Sequence, residues 1–248
     1  MFQSPPTVEP PAPKTPGAPL KLKARSSPPI GTPELDSLYS YHPDFYEASE
    51  ADALLVDLES SIVYLAANHT SVKLFGKVHQ APRQIAAYGD EGTTYTYSGT
   101  TFSAEPWPEV LLRIKRRVEK ATGQSYNFVL VNRYRDGKDR IGYHRDNEPG
   151  LDPDANIASV SFGEARDFTM QAYKPDYMRA KQPKRKPRAV TRVLSLAHGS
   201  LLDMYPAFNR CAKHAVPARP RSKSVRINLT FRKMLLPETS DDEFAAPF

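Results

Sequence analysis

Two stretches of the chain repeat apolar residues at helical spacing, and six later ones alternate or run apolar in short pieces. Behind Ser49, a residue type that caps helix N-termini, Leu54, Leu55, Leu58 and Ile62 share one helical side. Pro108 suits a first helical turn, followed by Leu111, Ile114 and Val118 inward and Arg113, Arg116, Arg117 and Lys120 outward. Gly123 supplies the stop. Beyond it, strands are predicted at 126–134, 157–162, 168–173, 190–196, 200–205 and 225–231. Six short strands with turn residues between them predict an α+β, mainly β, fold: a sandwich or jelly roll with the helices outside. Ten of the 24 prolines fall between Pro5 and Pro33, with almost no bulky apolar residue among them. Such a stretch cannot bury enough surface to offset its chain entropy. The expected organisation is a disordered proline-rich arm over 1–38, one domain over 39–236 and a tail over 237–248.

Composition narrows the classes. Hydrophobic residues make up 40% of 248, enough for a sizeable core. A single cysteine, Cys211, excludes an intramolecular disulfide framework or a cysteine-rich zinc site and fits a reducing compartment. No apolar run approaches the roughly 20 residues of a membrane helix, so a soluble, intracellular, monomeric protein without membrane contact is expected. The net charge of +6 is a weak signal, but its distribution is not. Seven basic and no acidic residues lie between Arg179 and Arg192, and no acid interrupts 204–236, which holds Arg210, Lys213, Arg219, Arg221, Lys223, Arg226, Arg232 and Lys233. Clusters of this kind point to a polyanion, nucleic acid foremost. Taken alone, 179–188 reads equally well as a solvated loop or an import signal.

The candidate chemistry starts at His144-Arg145-Asp146. Two residues apart in an extended segment, the imidazole and the carboxylate share a face and can meet one metal. Alone, such a pair is common. A downstream histidine would complete two histidines and one carboxylate, the facial set that leaves open positions on iron(II). His198, beside the turn glycine Gly199, reads as a turn or packing residue; His214, ahead of the last strand, is the choice. In that strand Arg226, Asn228, Thr230 and Arg232 share one face, and Ile227, Leu229 and Phe231 the other. By itself the pattern fits an edge strand with its polar face in water. Beside an iron site, two arginines turned inward call for a dicarboxylate, which a guanidinium fork pairs bidentately.

In motifs and in their order, residues 72–234 resemble the AlkB dioxygenases: NRY (132–134), HRD (144–146), ASVSFG (158–163), LAHGSLL (196–202) and RINLTFR (226–232). The resemblance implies a double-stranded β-helix in which His144, Asp146 and His214 hold Fe(II). It assigns 2-oxoglutarate to Arg226 and Arg232, assisted by Asn132, Tyr134, Asn228 and Thr230, with O2 as the oxidant. The implied reaction is oxidative demethylation of 1-methyladenine and 3-methylcytosine, releasing succinate, CO2 and formaldehyde. Glu148 is the implied catalytic-site carboxylate, set against the exocyclic amine of the cationic base. A nucleotide-recognition lid over about 72–100 would bring Tyr97 to stack on a flipped base and Tyr95 to hydrogen-bond nearby.

Leu74-Phe75-Gly76-Lys77, with Arg83 downstream, resembles the finger of the duplex-acting branch, an apolar wedge that helps unstack paired DNA. Asn147, Arg219 and Arg221 join the implied DNA contacts, with three departures from the family pattern. Val78 replaces an aromatic, Asn147 an acid, and Pro220 interrupts a basic triplet. Duplex DNA in the nucleus (the cytoplasm in an organism without one) is therefore the expected substrate, and the proline-rich arm the expected site for a protein partner. The alternatives are a single-stranded DNA or RNA demethylase of the same family, a dioxygenase acting on protein side chains, and a non-catalytic nucleic-acid-binding module.

Overall fold

The computed structural model describes residues 35–74, 77–97, 100–146, 148, 150–172 and 190–236. The arm up to residue 34, Phe75, Gly76, Asn147, most of the basic run at 179–192 and the tail from 237 lie outside these residues. In chain order the strands are β1 (Tyr39–His42), β2 (Ser71–Leu74), β3 (Lys77–Gln80), β4 (Gln84–Gly89), β5 (Thr94–Tyr97), β6 (Thr100–Ser103) and β7 (Phe128–Tyr134). There follow β8 (Ile141–His144), β9 (Ile157–Gly163), β10 (Arg166–Ala172), β11 (Val190–Leu196), β12 (Ser200–Met204), β13 (Ala212–Val216) and β14 (Arg226–Arg232). The helices are α1 (Ala48–Ser61), α2 (Glu109–Thr122) and the short α3 (Pro206–Cys211).

A six-stranded sheet runs β1-β12-β9-β14-β7-β4 and faces a four-stranded one, β11-β10-β13-β8; every pairing in both is antiparallel. This is the jelly roll that the strand pattern predicts. One apolar cluster fills the space between the sheets, with Tyr134, Ile157 and Leu202 of the larger sheet meeting Phe168, Met170 and Val216 of the smaller. A second lies on the outer face of the larger sheet, where Leu54 and Leu58 of α1 and Leu111, Ile114 and Val118 of α2 cover Val160, Leu201, Ile227 and Leu229. Strict alternation on β14 thus feeds two different interiors, which is why all seven of its residues are buried.

Several boundaries differ from expectation. The folded part starts before residue 39, because Leu35 and Leu38 are already in the core at 4% and 1% exposure. Helix α1 begins at Ala48 with Glu47 in the cap position and no side-chain cap, so Ser49 lies inside the first turn. Pro108 is the cap residue of α2 and the helix proper starts at Glu109. Gly123 ends it at a φ of 69°, a left-handed conformation that favours glycine. Eight short strands escaped the apolar pattern. They are edge or hairpin strands, or, like Gln84–Gly89, are built from residues of modest β-propensity.

Candidate metal and 2-oxoglutarate site

A cavity of about 740 Å³ opens between the sheets, lined by both. Its metal corner is made by adjacent strands of the smaller sheet: β8 ends at His144, which sits directly across from His214 of β13. Asp146 follows two residues on. The ligand atoms of His144, Asp146 and His214 all lie within 4.8 Å of one another. His144 Nε2 and His214 Nε2 stand 3.6 and 3.9 Å from Asp146 Oδ1. His144 Nδ1 is 2.9 Å from the Gly142 carbonyl, so that nitrogen donates and Nε2 is left as the ligand. The His214 ring stacks on Phe168 at 5.0 Å. Asn209, on α3, clamps the Asp146 backbone from both sides, accepting its N–H at 3.1 Å and donating to its carbonyl.

Charge is tuned to match. Burial pushes the His214 pKa down to about 3 against the pull of Asp146, so its imidazole is neutral and ready to ligate. Burial also opposes ionisation of Asp146, but Arg232, His144 and His214 override it and hold the carboxyl well below its usual range. A neutral imidazole and an ionised carboxylate are the donor forms that a divalent cation needs, and the set fits iron(II).

The remaining wall comes from β14 and its neighbours. Arg232, 2% exposed, donates through Nη1 to Glu148 at 2.7 Å, and its Nη2 lies 3.0 Å from Asp146. Glu148 Oε2 is buried without a hydrogen-bond partner. Arg226, 1% exposed, donates through Nη2 to Ser161 at 2.9 Å and lies over the Tyr134 ring at 5.1 Å. Among the described residues its Nε and Nη1 have no partner. Burial pushes its pKa down, yet an arginine remains charged, and two orphan donors on a buried cation require an anion. A carboxylate of 2-oxoglutarate fits that requirement.

The profile of the 2OG-Fe(II) oxygenase superfamily matches residues 39–232. The chain belongs to this superfamily. Within it, the chain is 49% identical over 187 residues to the DNA oxidative demethylase ALKBH2 of Mus musculus, covering 75% of this chain and 76% of that one. It is 48% identical over 188 residues to the Homo sapiens protein of the same name, covering 76% and 70%. These relatives place it in the AlkB branch. A solved structure of OsALKBH1 superposes with a TM-score of 0.50 at 15% identity, over 79% of this chain and 98% of that one, a likeness of fold.

The oxygenase fold collects most of the residues singled out in the sequence. Asn132, Tyr134, Arg226, Asn228, Thr230, Arg232, Glu148 and Tyr95 line the one cavity with the three metal-ligand candidates. Asn228 donates to Ser159 and to the Val160 carbonyl, and accepts from Thr230 at 3.3 Å. Tyr95 is buried and stacks on Phe128 at 6.0 Å, which ties its hairpin to β7. The Tyr97 and Lys77 side chains lie outside the described residues. Arg83, expected among the DNA contacts, is instead buried in the cavity wall, where it donates to Asn132 at 2.7 Å. Arg219 is engaged with Asp167 at 2.9 Å and with the Ala165 carbonyl, whereas Arg221 is exposed. His198 sits away from the metal corner. Its Nδ1 accepts the Gly163 N–H at 2.8 Å, and its Nε2 faces Asp52 at 3.2 Å. Sequence reasoning missed Asn209, Phe168 and the Arg83–Asn132 pair, because none belongs to a spaced motif.

Proposed function

We propose that the protein removes N-methyl groups from 1-methyladenine and 3-methylcytosine in DNA, with duplex as the favoured substrate. Two relatives that bear the name DNA oxidative demethylase, at 49% and 48% identity, support this reading. The structural observation that carries it is the Glu148 oxygen without a partner in the same cavity as the metal ligands. A cationic methylated ring with an exocyclic amine supplies the donor that this oxygen lacks, and a second positive charge beside Arg232, which Asp146 and Glu148 share. Action on genomic DNA would be in the nucleus.

His144, Asp146 and His214 would hold iron(II), and Arg226 the co-substrate, with Asn132, Tyr134 and Arg232 beside it. Iron with 2-oxoglutarate and O2 supplies the two-electron oxidation that turns an N-methyl group into one lost as formaldehyde. The chain's own part is placement. Asn209 fixes the backbone of Asp146, Gly142 fixes the His144 tautomer, and Arg232 bridges Asp146 and Glu148. The test is formaldehyde release from oligonucleotides carrying 1-methyladenine, as matched single and double strands. Release from both, faster on duplex, is expected; faster release from single strands would move the protein to that branch, and none from either would overturn the reading.

A further inference from the structure

The strand that delivers His144 to the metal corner has an unusual surface. Between Lys138 and Asp146 both acids, Asp139 and Asp146, are buried, at 4% and 3% exposure. The residues left exposed are Lys138, Arg140, Gly142, Tyr143 and Arg145. Strand β8 is the edge of its sheet among the described residues, and just before it Arg140 donates its backbone N–H to the Pro82 carbonyl at 2.9 Å. Tyr143 borders the cavity and is nevertheless 47% exposed, which sets the residue at its rim. Next to it, Gly142 has no atom within 4 Å of where a Cβ would stand, so the opposite face of the strand is open as well. An aromatic ring left half in water makes little contribution to a core. Interleaved with cations and set at the entrance to a cavity, it has the composition of a single-strand stacking surface.

We propose that Tyr143 is a stacking platform for the nucleobase adjacent to the methylated one in the bound strand, with Arg140 and Arg145 against the flanking phosphates. This rests on the nucleic-acid reading above and adds to it a positioning residue outside the metal and co-substrate set. A base that leaves the helix strips its neighbour of a stacking partner, and the ring offers a replacement surface. Stacking of this kind tolerates any base, because every base has a flat face.

The experiment is a binding titration with an oligonucleotide carrying 2-aminopurine beside 1-methyladenine, on either side in turn, and a matched set with an abasic position there. Wild-type protein should quench the fluorophore on one side. Tyr143→Ala should raise the Kd for the base-bearing strand about five- to fifty-fold and leave the abasic strand's unchanged. Tyr143→Phe should bind like wild type, and Tyr143→Leu, which keeps apolar bulk without a ring, like Tyr143→Ala. In turnover, the loss should fall on KM with kcat preserved. Equal Kd values for wild type and Tyr143→Leu, or equal losses on the base-bearing and abasic strands, would overturn the platform. Quenching without formaldehyde release would keep the platform and remove the demethylation reading; absence of any binding by wild type would remove both.

Discussion

The two ends of β14 present the same side chain in opposite circumstances. At one end the Arg232 guanidinium is matched within the protein by Asp146 and Glu148. At the other, Arg226 is equally buried but has only the Ser161 hydroxyl and the face of Tyr134, with two N–H groups unmatched. Burial depresses the Arg226 pKa, whereas the carboxylates around Arg232 outweigh burial and raise its own. The first arginine holds the site together. The second costs stability until something anionic arrives, which is the signature of a ligand position rather than a structural one.

The largest expected effect separates these roles. Arg232→Met leaves the buried Asp146 and the partly buried Glu148 without their cation and should cost about 3–5 kcal/mol in urea unfolding, along with activity. Arg226→Met removes a charge that no described carboxylate matches, so it should abolish 2-oxoglutarate use while leaving stability unchanged or higher. Equal losses from both would erase the distinction. The second effect is ligand-dependent. At 100 times its Kd, 2-oxoglutarate with Mn(II) should stabilise the wild type by about 2.7 kcal/mol and Arg226→Met hardly at all, as read from thermal melts. A full shift in the variant would put the co-substrate elsewhere.

A second unmatched group lies on the outer face of the same sheet and has no ligand to wait for. Asp203 is 2% exposed, accepts one hydrogen bond from Asn156 at 2.9 Å and has its other oxygen unpartnered, near the equally unpartnered Ser40 Oγ. Burial pushes its pKa up to about 7, with Asn156 opposing. The folded value lies above the unfolded one, so the contribution is present at low pH and is lost as the pH rises towards 7. Asp203→Asn should therefore gain on the wild type by roughly 2 kcal/mol between pH 5 and pH 8. A constant gap across that range would show that the carboxyl is not proton-bound. The smallest effect is His198→Ala, which loses the Gly163 and Asp52 contacts and should cost about 1 kcal/mol with bound metal retained, whereas His214→Ala should lose the metal. Metal analysis of the two purified variants decides it.

The contrast along β14 also marks where sequence reading works. Alternation told which residues share a face, and only the candidate iron site beside it turned Arg226 and Arg232 inward; neither could tell that one is matched and the other is not. That depends on Asp146 and Glu148 arriving from a loop more than 80 residues away. His144 and Asp146 were legible because they sit two apart on one segment, and His214 because it precedes the strand that carries the arginines. Asn209 was invisible, since a lone asparagine on a six-residue helix has no periodic partner to draw attention to it. Arg83 entered only through the resemblance of the finger segment, and it is the pairing of β4 with β7 that brings it beside Asn132 in the cavity wall. Strands were found where apolar runs were long and missed where short edges such as β8 derive their place from a partner.

Because His144 and His214 lie directly opposite on β8 and β13, an ion that binds both also fastens one strand to its neighbour. A slip of one residue would turn His144 to the other face, and the pairing is already irregular between His214 and Val216. Metal thus doubles as a rivet at the sheet margin. Fraying of β8 should be the first opening of the metal-free protein, and amide hydrogen exchange at 141–144 and 212–216 should slow on adding Mn(II) more than exchange elsewhere.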